Sequence, residues 1–147
     1  MIVRNLLVGL PSMMACMGVQ VVLSFWGVRY YLRQSSGAAA ERGSLFGLRP
    51  LLVVMLVMML GTILQIIGWG ILFLVLGEFD ELYVAMYHSA VNFASLGYGD
   101  IVMSDSWKLL GPLEAVCGVL MLGMTSAALM AILQQMIKVQ REVMKLD

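Results

Sequence analysis

Apolar positions in this chain gather into three long runs, roughly residues 6–28, 51–76 and 109–137. Each exceeds the ~20 residues that a helix needs to cross about 30 Å of hydrocarbon. Three membrane-spanning helices are therefore predicted. Between the second and third runs lies a less apolar stretch, 83–96, which at about 14 residues is too short to span and has the length of a re-entrant helix. The polar stretch 33–50, rich in Ser, Gly and Ala with interspersed arginines, reads as a linker. Pro50 is expected in the first turn of the second span, where its missing N–H costs nothing. Pro11 is expected to kink the first.

Composition agrees with this reading. Of 147 residues, 61% are apolar and 12% charged, and the mean hydropathy is +0.93, values of a membrane protein rather than a soluble domain. The formal net charge is zero, which points to no nucleic-acid partner. The placement of the charges is more informative. Arg29, Arg33, Arg42 and Arg49 flank or fill the first loop, and Lys138, Arg141 and Lys145 follow the last span. Basic residues mark the cytoplasmic side, so the sequence predicts a cytoplasmic C-terminus and an external N-terminus in a cell (inner) membrane. Trp26, Tyr30, Tyr31 and Trp107 fall where aromatic belts form. The alternative reading of the start as a cleaved signal peptide rests on a faint cleavage-like run, 38–40. It is disfavoured by the length of the apolar run and by Arg29 and Arg33. Cys16 and Cys117 lie inside predicted spans, where thiols behave as small apolar groups. The 14 methionines are scattered through apolar runs without the clustered His or Cys of a soft-metal site.

Glycines recur at heptad spacing in the second and third spans, as Gly61 with Gly68, Gly70 with Gly77 and Gly111 with Gly118. Small residues on one face favour close helix packing in lipid. The acidic residues Glu78, Asp80, Glu81, Asp100 and Asp105 stand against Lys108 alone between those spans. They give about −4 per chain, a field that concentrates cations if these are more than solvated loop charges.

The run SLGYGD, Ser95 to Asp100, interrupts the apolar pattern. A non-helical segment cannot face lipid, because each unpaired N–H and C=O would cost several kcal/mol; it must be buried in protein or line water. Span, half-helix, glycine-containing strand and span is the layout needed to turn carbonyls inward and replace an ion's hydration shell. Gly97 and Gly99 supply the backbone freedom, and the Ser95 hydroxyl adds an oxygen.

These residues closely resemble the selectivity filter of the potassium channel superfamily, whose pattern is Thr, then Val or Ile, then Gly-Tyr-Gly-Asp. The resemblance takes in the half-helix before the motif, Trp107 after it and the following span. It implies an all-α membrane fold: outer helix, re-entrant pore helix, selectivity filter and inner helix over 51–137, preceded by an N-terminal transmembrane helix (1–32) and a cytoplasmic loop (33–50), and followed by a basic tail (138–147). It implies a homotetramer in the lipid bilayer that conducts K+ passively and is not an enzyme, with no small-molecule substrate. The carbonyls of Ser95, Leu96, Gly97, Tyr98 and Gly99, with the Ser95 hydroxyl, would coordinate the permeant K+. Asp100, Tyr87, His88 and Glu114 would support the filter. Gly118 and Gly123 have the spacing of a gating hinge, and Leu122, Ser126 and Met130 share a face towards a cavity; for Gly118, close helix contact is the competing reading.

The chain also departs from that pattern. Ser95 replaces Thr, Leu96 replaces Val or Ile, and Val91 stands where some relatives keep an acid, so a weakly selective monovalent cation channel remains open. So does a non-conducting adaptor that keeps the pore fold. His88 either senses pH or is simply packed and hydrogen-bonded. Glu114, an acid inside a span, is expected to face protein and to bond His88, Asn92 or Tyr98. The first span lacks an arginine ladder, so it is read as a peripheral packing helix rather than a voltage sensor.

Overall fold

A computed structural model describes residues 1–38 and 45–143, and all regular structure among them is helical. Four helices follow one another: α1 (Ile2–Ala38), α2 (Leu45–Val75), α3 (Leu82–Phe93) and α4 (Leu110–Val143). Segments long and apolar enough to cross a membrane occupy Ile2–Gln34, Leu48–Val75 and Leu110–Lys138. The protein is thus a multi-pass membrane protein, with the short helix α3 between its second and third spans. Lipid is as apolar as leucine, so these helices associate through close packing and polar contacts rather than through burial from water.

Helix boundaries differ from the sequence expectation in the polar stretches. The expected linker 33–50 is helical from its start to Ala38 and again from Leu45 onward, and Pro50 lies inside α2 rather than in its first turn. The expected tail is helical as far as Val143. A helix already nucleated across the membrane adds each further residue cheaply, and no Pro or strong turn sequence stops it at the bilayer edge. α1 runs unbroken through Pro11. Arg42, Lys145 and residues 39–40 of the cleavage-like run lie outside the described residues.

The chain forms two compact units, Met1–Val19 with Gly61–Leu122 and Gln20–Leu60 with Gly123–Asp147. In the second, Tyr31, Val54, Met58, Ala128 and Ile132 make the core. Gly27 admits Val54 so closely that an added Cβ would sit 2.9 Å from its Cγ1. Gln20, fully buried, donates to Thr125 Oγ1 at 2.6 Å and lies 3.7 Å from the Met58 sulfur. Interhelical bonds of this kind add about 0.5–2 kcal/mol in lipid.

In the first unit, Ala85, His88, Ser89, Val91 and Phe93 of α3 are buried; His88 meets Phe73 of α2, Ser89 meets Ile66 of α2 and Glu114 of α4, and Phe93 meets Gly118 of α4. An aromatic chain runs from Trp69 to Phe73 (5.9 Å), Phe79 (6.4 Å from Phe73) and His88 (5.1 Å from Phe79). The heptad glycines divide by role. Gly70 and Gly111 let Met86 and Asn92 of α3 approach, whereas Gly77 ends α2 instead of packing it. Gly77 adopts φ 72° while its N–H and that of Glu78 bond Leu74 O and Phe73 O, the paired C-terminal bonds that favour glycine at this position.

Candidate functional site

The segment 95–100 begins where α3 ends, and the helix terminus sets its first turn. Ser95 N–H bonds Asn92 O at 2.8 Å and Leu96 N–H bonds Val91 O at 2.9 Å, the same paired motif with Ser95 in the glycine position at φ 56°. A serine there costs about 1 kcal/mol relative to glycine. Gly97 and Gly99 also take positive φ, at 57° and 74°, while Leu96 and Tyr98 between them do not. Positive φ at every second residue from Ser95 to Gly99 makes this backbone neither helix nor regular strand, and glycine holds two of the three positions at no steric cost. All six residues from Ser95 to Asp100 are exposed in the single chain, Leu96 at 54% and Tyr98 at 66%.

The far end of the segment is tied to α3. Tyr87 Oη donates to Asp100 Oδ2 at 2.8 Å, and this bond pushes the exposed phenol above its ordinary value, so it stays a donor. His88 Nδ1 lies 3.1 Å from Ile101 O and its Nε2 2.9 Å from Asn92 Nδ2. A carbonyl only accepts, so Nδ1 carries the proton and Nε2 accepts from Asn92: the neutral tautomer fits both partners. Burial pushes His88 below its ordinary value, against the pull of Ile101 O, Asp100 and Glu78. Glu78 is committed to the same loop, with its two carboxylate oxygens accepting from Ser104 N–H (2.7 Å) and Oγ (2.6 Å). Asp105 faces Lys108 at 3.8 Å in an exposed pair that adds little, and Asp80 and Glu81 are exposed.

An unfolded histidine takes a proton near pH 6.5, whereas folded His88 resists until lower pH. Stability is therefore fully present above about pH 6.5 and declines as pH falls towards the folded value. The melting temperature of the purified protein is expected to fall between about pH 7.5 and about pH 5.5. His88→Gln should remove that acid-labile component; an identical acid response in the variant would discount the histidine.

Behind α3, Ser89 Oγ lies 2.8 Å from Ile66 O and 2.5 Å from Glu114 Oε1, with Ser89 and Glu114 both fully buried. Glu114 faces protein, where Ser89 bonds it and Asn92, one of the three expected partners, also interacts with its carboxyl; His88 bonds Ile101 O and Asn92 instead. The sequence did not single out Ser89; its only signal was a hydroxyl one helical turn from Ala85 on the packed face of α3. Gly118 meets the carbonyl of Phe93. An added Cβ would overlap Phe93 O and lie 2.8 Å from its carbon, so close helix contact accounts for this glycine. At Gly123 an added Cβ meets nothing within 4 Å. Leu122, Ser126 and Met130 are exposed in the single chain.

Among the described residues, no three His, Cys, Asp or Glu side chains gather as a metal site. The model of the ion channel family matches residues 52–135, which takes in α3, the segment after it and most of α2 and α4. The chain belongs to this ion channel family. The family is the two-span branch of the potassium channel superfamily, a family of passive channels and not of enzymes. No curated protein and no solved structure matches the chain significantly. In this channel the family match leaves out the whole of α1, so the contacts of α1 are additions to the two-span unit.

Proposed function

We propose that the protein is a potassium channel subunit, four copies of which surround one axis and lend it one strand each. The carbonyls of Ser95, Leu96, Gly97, Tyr98 and Gly99, with the Ser95 hydroxyl, replace water around dehydrated K+, which passes down its electrochemical gradient. The observation that carries this reading is the alternation of φ along 95–99 in a segment that a single chain leaves exposed. Irregular backbone at membrane depth needs protein or water beside it, and further copies of the same segment supply both. α3 presents its C-terminal end, around Asn92 to Ala94, to the inner side of that strand, where its partial negative charge favours a cation. Tyr87, His88, Asp100 and Glu114 hold the strand. Leu122, Ser126 and Met130 line the cavity below, beside Gly123, which meets no packing demand within the chain. The distribution of arginine and lysine supports a cell (inner) membrane placement with the N-terminus outside.

Purified protein in liposomes is expected to carry K+ flux that barium or a quaternary ammonium ion blocks, with native mass spectrometry giving four chains. In mixed K+ and Na+ the reversal potential should follow K+. A potential that follows Na+ equally would make this a weakly selective cation channel, with Ser95 and Leu96 as the departures to revert first. Absence of flux under every ionic condition would end the conducting reading.

A further inference from the structure

The first turn of α1 grips the chain just beyond the 95–100 segment. Asn5 is 2% exposed, and its Nδ2 donates to Ser106 O at 2.8 Å and to Met1 O at 3.0 Å. Arg4 Nη2 donates to the same Ser106 carbonyl at 3.1 Å, filling its second lone pair, and the guanidinium lies over the Trp107 ring, 4.1 Å from the centroid. One turn later Gly9 passes so close to α4 that an added Cβ would lie 2.5 Å from Leu113 Cδ1 and 3.1 Å from Leu110 Cδ2. The linking segment from Asp100 to α4 is thus held at three places. α3 takes Asp100 and Ile101, Glu78 takes Ser104, and α1 takes Ser106 and Trp107.

These contacts are more than a peripheral helix needs. Polar side chains at a span's end are expensive unless they find partners, and the Asn5 amide and one Arg4 nitrogen are both directed at a single main-chain carbonyl between the conducting segment and the inner helix. A bond to a carbonyl fixes the backbone itself, whatever side chain stands at 106. The guanidinium carbon over the indole adds a cation–π contact while a second Arg4 nitrogen stays free to bond Ser106 O, a combination that the single ammonium of lysine reproduces poorly.

We propose that Arg4 and Asn5 are positioning residues for ion conduction: α1 clasps Ser106 and Trp107 and so fixes the exit of the 95–100 strand. The inference rests on the conducting role proposed above but is separable from it. Without the clasp the strand would be anchored at Asp100, Ile101 and Ser104 only, and its far end would be free to shift against α4.

The test uses the full chain. Asn5→Asp keeps the side-chain shape but replaces the donating amide by a group that only accepts, and repels, the Ser106 carbonyl. Asn5→Leu removes polarity altogether, and Arg4→Lys keeps the charge without the planar group. Leu7→Ala, on the exposed face of the same turn, is the control. Amide hydrogen exchange over 101–109 is expected to quicken about fivefold in both Asn5 variants, the factor one net hydrogen bond represents, with α2 unchanged. K+ flux per tetramer should fall by a similar factor, and the K+ to Na+ permeability ratio should drop, at unaltered tetramer fraction. Arg4→Lys should show a smaller loss in the same direction, and Leu7→Ala none.

Wild-type exchange over 101–109 in Asn5→Asp would overturn the clasp. So would flux and selectivity that stay normal once corrected for tetramer fraction, since that marks a merely structural contact. Were the wild-type protein itself not to conduct K+, the conducting role would fall, while the exchange measurement would still decide whether α1 holds the segment.

Discussion

Gly118→Ala is expected to cost the channel about tenfold or more in ion flux, the largest effect of any single methyl group in the chain. The added Cβ would overlap Phe93 O and stand 2.8 Å from the carbonyl carbon and 3.1 Å from Cα. Ordinary overpacking costs about 1–3 kcal/mol because side chains can turn aside. Here every atom struck is backbone, so the relief has to come from moving the last turn of α3 away from α4. That turn carries the Ser95–Asn92 and Leu96–Val91 bonds that give the 95–100 segment its first conformation. Displacement at Phe93 therefore passes directly to Ser95, two residues on, and conduction should fail before the fold does. Gly123→Ala is the matched comparison. It adds the same methyl group to the same helix where nothing lies within 4 Å, and it gains up to about 1 kcal/mol of helix propensity. Flux measured in liposomes, normalised to assembled protein, separates the two. Equal tolerance of alanine at 118 and 123 would refute the close-approach reading of Gly118.

Much of this architecture was legible in the sequence because membranes simplify the code. Apolar run length alone located the three spans, and a run too short to span located α3. The motif Ser95 to Asp100 drew attention to the segment that the structure leaves irregular and exposed. An acid in an apolar span was enough to predict that Glu114 turns inward. What escaped depends on the rotation of one helix against another, which a single sequence does not encode. Ser89, not its neighbour His88, faces Glu114, and a shift of one residue is a turn of about 100° around α3. Helix ends in the polar stretches escaped because alanine, which favours a helix, is mixed there with Ser and Gly, which oppose it. The ending of α2 at Gly77 carried a readable signal, a glycine closing an apolar run, that the heptad spacing with Gly70 obscured. Nothing in the spacing of Arg4 signals its use on Ser106 and Trp107, which becomes visible only once α1 is placed.

Glu114→Ala is expected to be the most destabilising substitution on the buried face of α4, at about 2–4 kcal/mol from the cavity and the lost hydrogen bond together. The contact has a definite logic. Ser89 has one hydroxyl proton and two neighbours, Ile66 O at 2.8 Å and Glu114 Oε1 at 2.5 Å. It links α3 to α2 through the first and to α4 through the second, so the short helix is pinned from both sides by one side chain. Glu114 Oε2 has no hydrogen-bond partner, a buried polar atom left uncompensated. Glu114→Gln keeps the volume and one bond to Ser89 and should cost under about 1 kcal/mol. Glu114→Leu fills the space but strands nothing, because Ser89 can give its proton wholly to Ile66 O. It should lie between Gln and Ala in melting temperature. Ser89→Ala with Glu114→Leu replaces both partners by apolar groups and should approach the wild-type melting temperature, so that the cycle of the two single variants and the double shows coupling of about 1 kcal/mol. Additive effects would mean that the 2.5 Å contact carries no energy of its own. If the double variant regains stability but not flux, the acid is kept for conduction rather than for folding; if both return, Glu114 acts only by holding α3 in place.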